Sequence, residues 1–133
     1  MKELLILVHP QWVKLIESGQ KTIEVRKSWP SNFTGTVWVY ESLRSGGGVM
    51  VVWKFTAGIP VELLHGEFTQ WSDFYSYFDG SCISEEFLAD YMPASGDLYK
   101  ISIKNYTPIS PVPIFEMFPG KKALHNYAWV NCD

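Results

Sequence analysis

The residues best suited to chemistry sit together in Ser18-Gly19-Gln20-Lys21-Thr22-Ile23-Glu24-Val25-Arg26-Lys27. A helix ending at Gly19 would hand over to a strand with Lys21 at its mouth. On that strand Thr22, Glu24 and Arg26 share one face, and Ile23 and Val25 share the other. Glu24 and Arg26 are then ~7 Å apart along the chain and can address one planar ligand. The acid would accept from an amine, and the guanidinium would donate to a carbonyl or phosphate. The same spacing also describes a solvent-facing strand with a weak ion pair. Trp29 follows directly and precedes Pro30, which places a ring beside Arg26 and Lys27 either to stack on a base or to pack in the core.

Other chemistry finds less support. His9, His65 and His125 are far apart and share no motif that would make an acid–base pair. No pair of His or Cys has metal-ligand spacing, so neither a metal nor a cofactor is expected. Gly46-Gly47-Gly48 lacks a following Gly-Lys-Ser/Thr and reads as a hairpin turn, not a phosphate loop. Cys82 and Cys132 are too few for a disulfide framework and read as free thiols of a reducing compartment.

The elements around this stretch follow from periodicity. Leu4 to Val8 is a short apolar run, a buried strand. Pro10 suits a first helical turn, and Trp12, Val13, Leu15 and Ile16 recur at helical spacing. Thr36 to Glu41 and Val49 to Ala57 read as strands of a hairpin. Phe68, Trp71, Tyr75 and Phe78 mark an amphipathic helix. Ser84, with Glu85 and Glu86 behind it, caps a second helix whose apolar side is Phe87, Leu88 and Tyr91. Tyr99, Ile101 and Ile103 alternate as a late strand. The stretch beyond Pro108 reads as extended, and Ile114 to Phe118 as one helical turn. Strands dominate and helices are short, which predicts an α+β fold: a small, partly open β-barrel with short flanking helices.

Composition bounds the rest. At 133 residues with 47% hydrophobic content, residues 1–133 are read as one domain, and intrinsic disorder is excluded. The 16% aromatic content implies a ring-packed core with rings to spare for a planar ligand. A net charge of −3 argues against a long duplex held by many phosphate contacts. The charge is uneven: residues 1–60 are net +3, residues 61–97 carry eight acids and no Lys or Arg, and residues 98–133 are net +2. An anionic partner should meet the first segment and the tail, where Lys121, Lys122 and His125 lie, and be repelled by the middle. The apolar run at Leu4 is too short for a signal peptide or a membrane span, so the expected location is the cytoplasm.

Three stretches resemble a known family. His9-Pro10-Gln11-Trp12 and Lys14-Leu15-Ile16-Glu17 running on through Ser18 to Lys27 form the first. Ile83-Ser84-Glu85-Glu86-Phe87-Leu88-Ala89-Asp90-Tyr91 and Tyr106-Thr107-Pro108-Ile109 are the others. Together they resemble the ASCH domains of the PUA-like superfamily over most of the chain, the first motif being the most specific. The resemblance implies a PUA-like barrel whose polar helix–strand edge faces a cleft, with RNA or a nucleoside or nucleotide as ligand. One branch of the family removes the acetyl group from 4-acetylcytidine with a lysine, a threonine and a glutamate. That lysine corresponds to Lys21, the threonine position holds Glu24, and the glutamate falls near Asp79-Gly80. Glu24 cannot be a hydroxyl nucleophile but can act as a general base on water, with Thr22 adjacent.

The leading expectation is RNA or modified-nucleoside binding in a cleft lined by the Lys21–Arg26 strand. Arg26, Lys27 and Trp29 would contact the ligand there. An amidohydrolase using Lys21, Glu24 and Thr22 is the alternative. A third reading is a protein–protein adaptor docking through the acidic aromatic helix at 68–78.

Overall fold

The structure, a computed structural model, describes residues 2–41, 50–120 and 127–131. β1 (Lys2–Val8) runs parallel to β3 (Gly35–Glu41), Leu4 facing Val37 and Val8 facing Glu41. On its other edge β1 pairs antiparallel with β7 (Tyr127–Asn131). β3 pairs antiparallel with β4 (Met50–Ala57), and β4 with the 17-residue β6 (Asp97–Pro113). The first half of β6 is flanked by β2 (Ile23–Arg26) on one edge and β5 (Val61–Leu64) on the other. The result is a curled, half-barrel mixed sheet in the order β2-β6-β4-β3-β1-β7, with short helices around it. This is the α+β, partly open barrel expected from the sequence.

Period-two alternation decides which face each β1 side chain enters. Leu4, Ile6 and Val8 join Val37, Val39, Trp53, Phe55 and Ile101 in one core, closed by Val13 and Ile16 of α1 (Pro10–Glu17). Leu5 points the other way, into a core with Tyr40, Val51, Ile114, Phe118 and Val130. β3 alternates in the same way, Val37 and Val39 entering the first core and Tyr40 the second. A separate core lies under α2 (Trp71–Ser76) and α3 (Glu85–Tyr91): Val25, Leu63, Phe74, Phe78, Ile83, Leu88 and Leu98. Trp12 packs against both this core and the first.

Several boundaries differ from the periodic reading. The helix expected at 68–78 shrinks to α2. Phe68 and Gln70 keep extended backbones after a 3₁₀ turn at His65–Glu67, and Phe78 belongs to a turn. The rings of this stretch still serve one purpose: Trp71 packs on His65 and Phe74, and Phe68 on Phe74 and Tyr77. The late strand is far longer than Tyr99–Ile103. Its prolines lack a donor, and the register shifts that separate Trp53–Pro108 from Val51–Val112 pairing absorb them. Asn105, at φ +51°, sits in a second irregularity, in a conformation that Asn tolerates better than most residues. β5 and β7 have no clear signal in the sequence. Ser84 caps α3 as expected, its Oγ accepting from the Phe87 N–H at 3.1 Å. The single turn α4 (Ile114–Met117) also forms. The Gly-rich turn, Cys132 and the Lys121–His125 cluster lie outside the described residues. Among the described residues no helix is long and apolar enough to cross a membrane, and no cluster of His, Cys, Asp or Glu could hold a metal.

Candidate functional site

Local hydrogen bonds aim Lys21. At the end of α1 the Gly19 N–H bonds the Ile16 carbonyl, and the N–H groups of Gln20 and Lys21 both bond the Leu15 carbonyl. Gly19 takes φ +82°, a turn that a side chain would oppose. The chain then enters β2 against the loop after Phe78. The Gly80 carbonyl accepts from the Thr22 and Ile23 N–H groups at 2.7 and 3.2 Å. Gly80 stands at φ +91°, and a Cβ there would lie 2.6 Å from Thr22 Oγ1, so a glycine is required for this docking. The same loop offers the Ser81 carbonyl, to which Lys21 Nζ donates at 2.6 Å. Tyr75 Oη pins the loop by donating to the Ile83 carbonyl at 2.7 Å.

The charges form one row. Arg26 Nε donates to Glu24 Oε2 at 2.8 Å and Nη2 to the Leu7 carbonyl of β1 at 2.5 Å. Glu24 Oε1 faces Lys21 Nζ at 3.8 Å. All three are buried: Lys21 is 3% exposed, Glu24 8% and Arg26 9%. A polar strand face turned to solvent was one reading of the sequence. Here it is covered by α1 and α3, and the row lines a cleft of about 310 Å³. Its walls are Leu7, Val8 and His9 at the end of β1, Trp12 of α1, and Ile83, Phe87 and Tyr91.

Aromatic geometry shapes that wall. Lys21 Nζ lies 5.2 Å from the Trp12 ring centre, close enough for a cation–π contact. Trp12 meets Phe87 edge-on at 5.8 Å, and Phe87 lies nearly parallel to Tyr91 at 6.1 Å. Lys27 is spread over Tyr91, its Nζ 4.7 Å from the ring centre.

The expected site residues therefore divide. Lys21, Glu24 and Arg26 meet in the cleft. Thr22 is exposed and does not line it, because β2 begins one residue later and the Thr22 backbone is committed to Gly80 and Ile103. Lys27 lies beside the cleft on Tyr91. Trp29 is a correction: it is 5% exposed, packed in the main core 6.2 Å from Phe33, with no ring face for a base. The rings that face the cleft are Trp12, Phe87 and Tyr91. For Phe87 and Tyr91 the signal is their i, i+4 pairing on α3, which periodicity alone assigns to the core. The charge pattern divides too, since the cleft draws its polar row from the basic first segment and its ring wall partly from the acidic middle.

Burial lowers the Lys21 ammonium from its ordinary pKa of 10.5, while Glu24 and then Cys82 oppose the fall and Arg26 adds to it. Burial likewise raises the Tyr91 hydroxyl above 10.0, with Arg26 pulling the other way. For Lys21 the unfolded chain holds the proton more tightly than the folded one. Stability should therefore rise with pH from the lowered folded pKa up to 10.5. Comparing urea unfolding of the wild type and Lys21→Met across this alkaline range isolates the effect, because Tyr91 is common to both. The wild type should gain on the variant as pH rises. A constant difference would mean that the ammonium is not desolvated.

No family model and no curated relative matches the sequence. The fold is nonetheless similar to solved structures. ASCH from Zymomonas mobilis superposes with a TM-score of 0.78 at 20% identity, over 97% of this chain and 87% of that one. A mutant of the same Zymomonas mobilis protein superposes with a TM-score of 0.78 at 19% identity, over 98% of this chain and 91% of that one. The chain thus has a PUA-like α+β fold. Within that class it is the ASCH-domain fold, in agreement with the resemblance read from its motifs.

Proposed function

We propose that this chain binds RNA or a modified nucleoside in the cleft over β2. The observation that carries the reading is the Lys21–Glu24–Arg26 row, buried yet lining an open cleft that has a wall of rings. Buried charges that converge on a cleft are costly for stability alone, which favours a ligand role. Glu24 would accept from a base amine, Lys21 and Arg26 would donate to carbonyl or phosphate oxygens, and Lys27 would meet phosphate at the rim. The ASCH-domain fold agrees with this reading.

A second reading keeps the same groups. Lys21 Nζ and Glu24 Oε1, 3.8 Å apart, could activate water against an acylated cytidine amine. Glu24 would take the proton of the attacking water and Lys21 would stabilise the oxyanion. The amine would then leave with a proton as the acyl group departs as a carboxylic acid. Thr22, outside the cleft, has no part in this version.

One experiment separates the readings. A short single-stranded RNA carrying one 4-acetylcytidine is titrated at low salt by tryptophan fluorescence and weighed by mass spectrometry before and after incubation. Saturable binding with unchanged mass is expected. Loss of the acetyl mass, absent with Lys21→Ala, would establish the hydrolase instead. Shorter fragments would point to a nuclease, and no binding would overturn the proposal.

A further inference from the structure

The aromatic wall carries one step more. Among the described residues, Phe87 is the only large exposed apolar side chain that also lines the cleft, and it is 44% exposed. Its helix does not need it for burial, since Leu88 of α3 is fully buried and anchors the helix to the core beneath. Phe87 is nevertheless held in place. The Ser84 cap fixes its backbone N–H, Trp12 meets it edge-on at an interplanar angle of 72°, and Tyr91 lies beside it at 20°. Trp12 is in turn backed by Lys21. An oriented ring that leaves much of its surface in water, next to buried hydrogen-bonding groups, has the design of a stacking platform.

We infer that Phe87 is the stacking ring of the site, on which the planar base of the ligand lies while its edge reaches Glu24. This rests on the proposed nucleoside reading of the cleft, and gives α3 the role that the sequence assigned to Trp29. The chemistry expected of the ligand is a flat heteroaromatic ring with an amine on its edge. The helix carrying Phe87 also bears Glu85, Glu86 and Asp90, all exposed, and no basic residue. The phosphate of a larger ligand would therefore leave past Lys27, which lies over Tyr91 at the far end of this helix.

The test uses the full chain with 4-acetylcytidine and the four ordinary ribonucleosides as probes. Binding is followed by NMR at the base protons, which a stacked aromatic ring shifts upfield. For the probe that binds, Phe87→Leu should weaken affinity about 5- to 50-fold and abolish the upfield shift. Phe87→Tyr should restore both. Phe115→Leu, at a ring still more exposed (64%) but away from the cleft, should leave both unchanged. If a probe binds and Phe87→Leu keeps its affinity and its shift, Phe87 is not the platform, though the cleft reading survives. If none of the five binds the wild type, the nucleoside reading fails and the role of Phe87 with it.

Discussion

Replacing Arg26 with methionine is expected to lower the free energy of unfolding by about 3–5 kcal/mol. Methionine keeps the apolar packing of the arginine stem and removes only the guanidinium. What changes is the electrostatics. Glu24 Oε2 loses its 2.8 Å donor and the Leu7 carbonyl loses the guanidinium that ties β2 to β1. Glu24 is left buried with Lys21 as its one described charged partner, at 3.8 Å. A buried carboxylate deprived of its main partner costs far more than a surface pair, whose loss is ~0–1 kcal/mol. Urea denaturation measures the difference. Arg26→Lys should recover only part of it, since an ammonium cannot bond Glu24 and Leu7 in the same fork. A loss below ~1 kcal/mol would mean that the row behaves as a solvated surface pair.

The second large effect is on binding. Glu24→Gln is nearly isosteric, and its carbonyl oxygen can still accept from Arg26 Nε. Its NH₂ group would then face Lys21 Nζ, a donor against a donor, and would meet any base amine in the same way. Affinity for the acetylcytidine RNA should fall at least ~100-fold, with fluorescence titration as the readout. The loss should be much smaller with Thr22→Val, because Thr22 lies outside the cleft. Equal losses for the two variants would return Thr22 to the site and contradict the geometry.

Much of this site was legible because its residues are local. Lys21, Glu24 and Arg26 fall within six positions, and helix stop, strand alternation and charge type are all short-range signals. Periodicity could not say that the polar face of β2 is covered. That depends on α1 and α3 folding over it, with Ser81 and Leu7 supplying carbonyls from 60 and 19 residues away. Trp29 shows the same limit from the other side: adjacency to Arg26 suggested a ligand ring, but the chain turns it into the main core. The exposed ring that shares the cleft with Arg26 is Phe87, 61 positions away in sequence. β5 and β7 are not legible in the sequence because each is defined by its partner strand, and the prolines of β6 mask a strand whose register shifts accommodate them.

The most direct test of the cleft as the binding site is to map backbone amide shifts while single-stranded RNA carrying one 4-acetylcytidine is added to the isotope-labelled chain. The predicted result is a saturable set of shifts confined to three places: the end of β1 with the start of α1, the stretch from Lys21 to Lys27, and α3 around Phe87 and Tyr91. Shifts centred elsewhere, as on α2 and Tyr77, or none at all, would contradict it.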